Sequence, residues 1–249
     1  MQVVSKKFLD FFQRRFKENM PIPSSKTDFF PKTAKDRVFS VMREWIIDGT
    51  LKPGEKIFDK EIAEYFSVSR TPVREAFQML AEQKLIIVSP GKESRVTDID
   101  PISARQSYEL LSVLEPIAVR YAISNITDET LRILEDSTKK LKEAIDSGDP
   151  GKANEADHAF HQKILEISGN DFLKQFCETL ETHVSRVEIH FFSHRDISEM
   201  LPASVKEHEK IIEAIKDRNV EEACRIMADN WNNTIPYIER YLNASSSSS

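Results

Sequence analysis

DKEIAEYFSVSRTPVREAFQMLAEQ, residues 59–83, is the stretch that decides the fold. Its apolar residues recur at helical spacing on both sides of a short polar break, which predicts two helices joined by a tight turn. We expect Asp59 to cap the first helix, and either Ser69 or Thr71 to cap the second, because short polar side chains satisfy free backbone N–H groups there. The pattern is typical of a helix-turn-helix.

The second predicted helix has two chemically distinct faces. Apolar residues form one stripe, and hydroxyl and guanidinium groups crowd the N-terminal turns of the other: Ser69, Arg70, Thr71 and Arg74. A helix N-terminus offers free N–H groups and a positive dipole end to phosphates, and arginine can read base edges. The stretch therefore predicts a recognition helix that enters the DNA major groove.

The flanking sequence completes a winged helix. Residues 32–48 have apolar positions at helical spacing and are followed by Gly49, a common residue just after a helix end. After the recognition helix, two β-prone runs at 85–88 and 94–97 enclose turn residues. These runs predict a hairpin wing with Gly91 at its tip.

Charge is distributed unevenly along the 249-residue chain. Residues 1–97 hold 18 Lys+Arg and 13 Asp+Glu, a balance of +5, whereas the remainder holds 17 and 28, a balance of −11. The total is therefore −6, as the composition gives. Because nucleic-acid affinity depends on local positive surface, the split is compatible with a basic DNA-binding module on an acidic partner domain. Glycine-rich nucleotide-binding loops are absent from the sequence.

The sequence predicts a mainly α fold with four segments. Residues 1–31 form an arm broken by prolines, for which partial order, DNA contact and dimer swapping remain open. Residues 32–98 form the winged helix-turn-helix, and 101–243 form an antiparallel bundle of about six helices. The predicted helices cover 102–123, 127–147, 151–168, 171–195, 203–217 and 219–242. A serine-rich tail, 244–249, is expected to be disordered.

Cysteine usage and hydropathy predict a cytoplasmic protein. Cys177 and Cys224 do not form a C-x-x-C pair or a disulfide framework, which fits a reducing compartment. No segment approaches the roughly 20 apolar residues that span a bilayer, and the N-terminus lacks a signal-peptide core.

The bundle carries polar residues on apolar helix faces. Asp157 and His161 are four residues apart and share a face, while His208 and Asn230 lie in line with apolar residues of two other helices. A divalent metal (zinc, nickel, iron or manganese) would offset the cost of burying such groups. An ion pair or hydrogen bond is the alternative reading of the spacing. Arg186 could bind an anion in the same pocket or pair with a bundle carboxylate.

Several strings then resemble one family of regulators. They are L-K-P-G-E at 51–55, K-E-I-A at 60–63, V-S-R-T-P-V-R-E-A at 68–76 and L-x-x-x-x-L-I at 80–86, then D-x-x-F-H at 157–161, S-G-N at 168–170, E-H-x-x-I-x-x-A-I at 207–215 and A-x-x-x-M-x-x-N at 223–230. The chain resembles GntR-type transcription regulators of the FadR branch, with an FCD ligand-binding domain, over about residues 33–242.

The resemblance implies a dimer on a pseudo-palindromic operator. It assigns DNA contacts to Lys60, Ser69, Arg70, Thr71, Arg74 and Gly91. It also implies a metal held by one Asp and three His in many members, positions that correspond to Asp157, His161, His208 and Asn230. The fourth position is therefore an amide here. Many members have an arginine four residues before the Glu of L-E-P, where this chain has Leu111.

The sequence-based prediction is a transcription regulator controlled by a small-molecule effector, an organic acid or another metabolite. We expect no catalytic residues, since no nucleophile–base pair is evident. Two rival interpretations remain. In one, the bundle is a metalloenzyme with Glu166 or Glu207 as base; in the other, it is a dimerisation module without an effector.

Overall fold

Helices dominate both halves of the chain. The computed structural model describes residues 33–89, 93–191 and 194–239 and divides the chain into two units, 1–99 and 100–249. The predicted mainly α fold, with a winged helix-turn-helix followed by a helical bundle, is confirmed. The predicted arm at 1–31, the wing tip at Gly91 and the tail at 244–249 lie outside the described residues.

The first unit packs three helices around one apolar core. They are α1 (Ala34–Ile47), α2 (Asp59–Phe66) and α3 (Arg70–Glu82). Thr33 begins α1 by accepting a hydrogen bond from the Asp36 amide, and α2 ends at Ser67, whose left-handed backbone (φ 55°) turns the chain toward α3. The core is built from the apolar stripes of these helices, including Val38, Met42, Ile46, Ile62, Val73, Phe77 and Leu80.

The helix-turn-helix begins differently from the expectation at Asp59. The capping position of α2 is Phe58, and Asp59 is the first helical residue, so the predicted Asp59 cap is wrong. Its carboxylate bonds instead to the guanidinium groups of Arg70 and Arg74. Ser69 does occupy the capping position of α3, but its side chain makes no capping hydrogen bond.

A small antiparallel sheet forms the wing. Its strands are β1 (Lys56–Ile57), β2 (Ile86–Ile87) and β3 (Ser94–Val96), in the order β1-β3-β2. The β2–β3 hairpin agrees with the prediction from sequence. In it, Ile86 lies opposite Val96. Strand β1 pairs Ile57 with Ser94 and was not predicted. It has only two residues after a Pro-Gly turn, which are too few to show an alternating pattern.

The second unit is a bundle organised around its first helix. The described helices are α4 (Pro101–Asn125), α5 (Asp128–Asp146), α6 (Pro150–Ser168), α7 (Asp171–Phe191), α8 (His194–Lys216) and α9 (Val220–Asn232). Helix α4 packs against α6, α7 and α9, and α8 packs against α5, α6 and α9. Helix α6 ends at Gly169, whose positive φ of 65° suits glycine in this position.

The last three helices differ most from prediction in their boundaries, beginning with α7, which ends at Phe191 instead of 195. Helix α8 begins at His194 instead of 203 and contains Pro202, a residue type that usually interrupts a helix interior. Leu201 and Val205 are buried against α5 and α6, and this packing offsets the poor helix propensity of proline. Helix α9 ends at Asn232; a turn at 233–234 precedes a further helical stretch at 235–239.

Within the part of the chain that the structure describes, no helix has the length and apolar character that crossing a membrane requires.

Candidate functional site

The predicted DNA contacts lie at the exposed tip of the helix-turn-helix. Lys60 is exposed on the first turn of α2, and four exposed residues surround the start of α3: Ser69, Arg70, Thr71 and Arg74. The opposite face of α3 is buried in the core. These residues therefore share one solvent-facing surface, while the predicted contact at Gly91 lies outside the described residues.

One carboxylate links the two arginines of this surface. Arg70 Nη2 donates to both oxygens of Asp59, at 2.6 and 2.8 Å, and Arg74 Nε donates to Asp59 Oδ2 at 2.7 Å. Partial burial alone would raise the pKa of Asp59, but the hydrogen bonds and charges of the two arginines lower it below its usual value. Asp59 is therefore ionised at neutral pH.

Three of the four predicted metal-binding residues converge inside the bundle. Asp157 and His161 lie on α6 and His208 on α8, and one potential ligand atom from each lies within 4.8 Å of the others. Asp157 is 3.9 Å from His161 Nε2 and 3.6 Å from His208 Nε2. Two ligand atoms of a tetrahedral zinc ion are about 3.3 Å apart, given bonds of ~2.0 Å. The widest separation in the trio, at most 4.8 Å, would have to shorten by up to about 1.5 Å, a shift that side-chain rotations can supply, for the trio to hold one ion.

A buried carboxylate orients His161. Glu115 on α4 is fully buried, and its Oε2 lies 2.6 Å from His161 Nδ1. Burial would lower the pKa of His161, but Glu115 and more distant carboxylates raise it to about 9. The contact at Nδ1 leaves Nε2 directed toward Asp157, the arrangement found where a carboxylate supports a metal-binding histidine.

His208 is a buried, neutral imidazole next to Asp157. It is fully buried, its ring stacks on Phe160 with centroids 3.7 Å apart, and neither ring nitrogen has a hydrogen-bond partner among the residues that the structure describes. Burial, aided by the neighbouring His161, lowers its pKa well below the ordinary value. A neutral imidazole with an unpaired nitrogen beside a carboxylate fits a divalent metal of borderline softness.

Asn230, the fourth predicted ligand, lies beside the trio but is engaged elsewhere. Its Nδ2 donates to Ser204 Oγ at 3.2 Å and to Glu207 Oε2 at 2.7 Å. Ser204 Oγ in turn donates to Asp157 Oδ1 at 2.8 Å. Asn230 is thus connected to the ligand carboxylate through one serine, and this network also holds Asp157 in place.

A second polar cluster, next to the trio, joins His158 of α6 and Tyr108 of α4 to two glutamates of α7. His158 is 3.4 Å from Glu188 and 3.9 Å from Glu181, and Glu188 also accepts a hydrogen bond from Tyr108. Burial opposes protonation of His158, but the two glutamates raise its pKa well above the ordinary value. Arg186, the predicted effector-binding arginine, is 2% exposed on α7 and therefore lies in the interior.

Several buried polar atoms near His161 have no hydrogen-bond partner within residues 33–89, 93–191 and 194–239. They are Glu115 Oε1, Glu181 Oε1 and Trp231 Nε1, together with the His208 nitrogens. The Trp231 ring lies 4.6 Å from that of His161, measured between centroids. Because buried polar atoms normally find a partner, this grouping is unusual for a packed interior. Glu115, Glu181 and Trp231 carried no sequence signal for this grouping.

The first unit has an exposed recognition helix and a winged sheet, and the second is a helical domain with a buried histidine–carboxylate site. This combination defines a class of DNA-binding transcription regulators. Residues 34–96 match the family described as "Bacterial regulatory proteins, gntR family", and residues 106–233 match the FCD domain. The chain belongs to the GntR family of transcription regulators and carries an FCD domain. Both matched domains, and the relatives, are those of transcription regulators and not of enzymes.

Curated relatives agree with this assignment, and a solved structure agrees with the fold. The chain is 30% identical over 191 residues to the HTH-type transcriptional repressor RspR of Escherichia coli K12, covering 77% of this chain and 82% of that protein. It is 27% identical to the HTH-type regulator YdhC of Bacillus subtilis 168, covering 82% and 90%. The E. coli McbR/YncC structure has the same fold, with a TM-score of 0.70, 22% identity and coverage of 85% and 100%.

Proposed function

We propose that this transcription regulator binds a specific DNA operator in the cytoplasm and that a small metabolite bound in the FCD domain controls this binding. The observation that carries the proposal is the exposed pair Arg70 and Arg74 at the start of α3, in a helix-turn-helix whose opposite face is buried. Guanidinium groups in this position suit base edges and phosphates of the major groove.

The DNA-binding surface combines two kinds of contact. Lys60, Ser69 and Thr71 supply an ammonium group and two hydroxyls, which suit phosphate oxygens and fix the position of the helix on the duplex. Arg70 and Arg74 supply planar N–H groups that can read guanine edges. Gly91 would let the wing backbone approach the phosphates closely.

The effector pocket is proposed around a divalent metal. Asp157, His161 and His208 would hold the ion, with the Asn230 side chain adjoining them. When bound, the ion supplies a positive charge that attracts a carboxylate or hydroxyl oxygen of the effector. Trp231 Nε1 and Glu181 Oε1 are buried and have no hydrogen-bond partner among the described residues, and they would bond to other polar groups of the same organic acid or metabolite. Arg186 would contribute charge from α7.

A homodimer is proposed because the FCD domain exposes an apolar stripe on α4. Leu110, Val113, Ile117 and Tyr121 are between 39% and 62% exposed and recur three to four residues apart, so they lie on one face of the helix. A second copy of the chain would bury this face. Two copies would also present two recognition helices, as a pseudo-palindromic operator requires.

The proposal is tested by selecting duplexes from a random double-stranded DNA pool and by identifying molecules retained by the native protein with mass spectrometry. We expect enrichment of a two-fold symmetric sequence. We also expect a retained or screened metabolite to raise the melting temperature and to change the operator Kd. Failure to enrich any sequence would contradict operator binding; a ligand that raises the melting temperature without changing the Kd would contradict effector control.

A further inference from the structure

Asp59 lies at the centre of the proposed DNA-binding surface, although it carries the same charge as the phosphates. Its carboxylate accepts three hydrogen bonds, two from Arg70 and one from Arg74, at 2.6–2.8 Å. The carboxylate is 19% exposed, whereas the arginine side chains are 53% and 65% exposed. The acid therefore lies beneath two cations that reach into solvent.

The hydrogen bonds leave the outer part of each guanidinium available. Arg74 uses Nε to reach Asp59, so the N–H groups on its two terminal nitrogens remain to bind DNA. These terminal groups form the fork that bonds to guanine O6 and N7. Arg70 donates to both carboxylate oxygens from one terminal nitrogen, Nη2, so its Nε and Nη1 groups can donate to DNA. Asp59 thus holds each arginine by one side while another side faces outward.

We propose that Asp59 is a positioning residue that determines DNA specificity: it fixes Arg70 and Arg74 for base reading and prevents them from binding phosphates indiscriminately. The inference rests on the proposed DNA contacts of these arginines. An arginine held by a carboxylate loses less side-chain entropy when it meets the correct base, since its orientation is already set. A negative charge at this surface also weakens contact with any backbone phosphate, which disfavours non-operator DNA.

A purely structural role for Asp59 leads to different expectations. An acidic residue in the first turn of α2 interacts favourably with the helix dipole, and an exposed ion pair contributes little to folding. If stability were the only role of Asp59, its replacement would lower the melting temperature and leave the ratio of operator to random-DNA affinity unchanged. The specificity ratio therefore separates the two roles.

The test compares full-length wild-type protein with Asp59→Asn, Asp59→Glu and Glu82→Gln. Glu82→Gln is the matched control, because it removes one exposed negative charge from the last residue of α3, about 18 Å along the helix from Arg70. The probes are the duplex enriched by wild-type protein and a random-sequence duplex of equal length. Fluorescence anisotropy gives the Kd of both at several salt concentrations.

We expect Asp59→Asn to bind the random duplex more tightly and to lower the specificity ratio about tenfold, the scale of one well-placed bidentate base contact. The salt dependence of random-DNA binding should steepen, because freed arginines reach additional phosphates. Asp59→Glu should retain part of the ratio, and Glu82→Gln should retain all of it. An unchanged ratio in Asp59→Asn overturns the inference while leaving operator binding intact, whereas wild-type protein that selects no duplex overturns the proposed function itself.

Discussion

Glu115 Oε2 lies 2.6 Å from Nδ1 of His161, and the two side chains are 0% and 1% exposed. The contact joins α4 to α6 across 46 residues of sequence. A carboxylate removed from water is costly unless it is paired, so the contact ties the centre of the bundle to the orientation of one imidazole. It also determines which nitrogen of His161 faces Asp157 and His208, and the metal proposal depends on that orientation.

Replacing Glu115 should weaken metal binding. We expect Glu115→Gln to lower zinc affinity by about 10–100-fold, the usual effect of removing a carboxylate that orients a histidine ligand. Isothermal titration at pH 9, where proton competition at His161 is weak, measures the effect. Glu109→Gln, an exposed carboxylate on the same helix, is the control and should bind zinc as wild type does. Equal affinities of the two variants would contradict the role of Glu115.

Replacing Asn230 with histidine should strengthen metal binding. An imidazole is a better zinc or nickel ligand than an amide, and its nitrogen would be the fourth ligand of a tetrahedral set with Asp157, His161 and His208. We expect Asn230→His to raise zinc affinity by roughly tenfold. This is the lower end of the change in affinity that follows when a residue hydrogen-bonded to a metal ligand is mutated. Asn230→Ala, which keeps the three other ligands, provides the reference. If histidine and alanine bind zinc equally, position 230 does not face the ion.

Metal affinity should depend on pH through His161. In the metal-free protein the pKa of His161 is about 9, whereas a metal binds only the neutral ring. Zinc affinity should therefore rise by up to about tenfold per unit between pH 7 and 9 and level off above that. The same raised pKa stabilises the metal-free fold below pH 6.5, and that contribution is lost as the pH rises through 9. Titrations in buffers of different ionisation enthalpy should detect about one released proton at pH 7; a pH-independent affinity would rule out protonation of His161.

The sequence predicted the elements that depend on local pattern. The α3 stripe of Val73, Phe77 and Leu80 and the β2–β3 hairpin follow from local spacing. The convergence of Asp157 with His208 was expected because both lie on apolar helix faces and match the metal-binding positions of the family that the chain resembles. Glu115 escaped prediction because its partner is 46 residues away, and only the packing of α4 on α6 brings them together. The role of Asp59 was assigned wrongly for a related reason. Local capping rules predicted that its carboxylate would cap α2, but the carboxylate bonds to two arginines of the next helix.

Disrupting the apolar stripe on α4 should yield monomers. Val113 is 62% exposed in the single chain, and a charged residue buried there in a dimer would be costly. We expect Val113→Glu to halve the mass measured by light scattering while leaving the helical content unchanged. Ile133→Glu on α5, at a 37% exposed position, provides the control and should remain dimeric. A Val113→Glu protein that stays dimeric would remove α4 from the interface.

Removing Arg74 should weaken operator binding without affecting the fold. The side chain is 65% exposed and its polar contact within the protein is the ion pair with Asp59, which contributes little to stability in such an exposed setting. We expect Arg74→Ala to cost ~1–3 kcal/mol in operator affinity, the scale of one bidentate base contact. If the arginine reads a base, the loss should be larger for the selected operator than for random DNA. If it binds a phosphate, both affinities should fall together and the salt dependence of binding should lessen by about one phosphate contact.

The control variant is Arg225→Ala, which removes the same charge from an exposed position on α9 in the other unit and should bind as wild type does. An Arg74→Ala protein with unaltered affinity for both duplexes would mean that α3 does not enter the groove by its N-terminal turns.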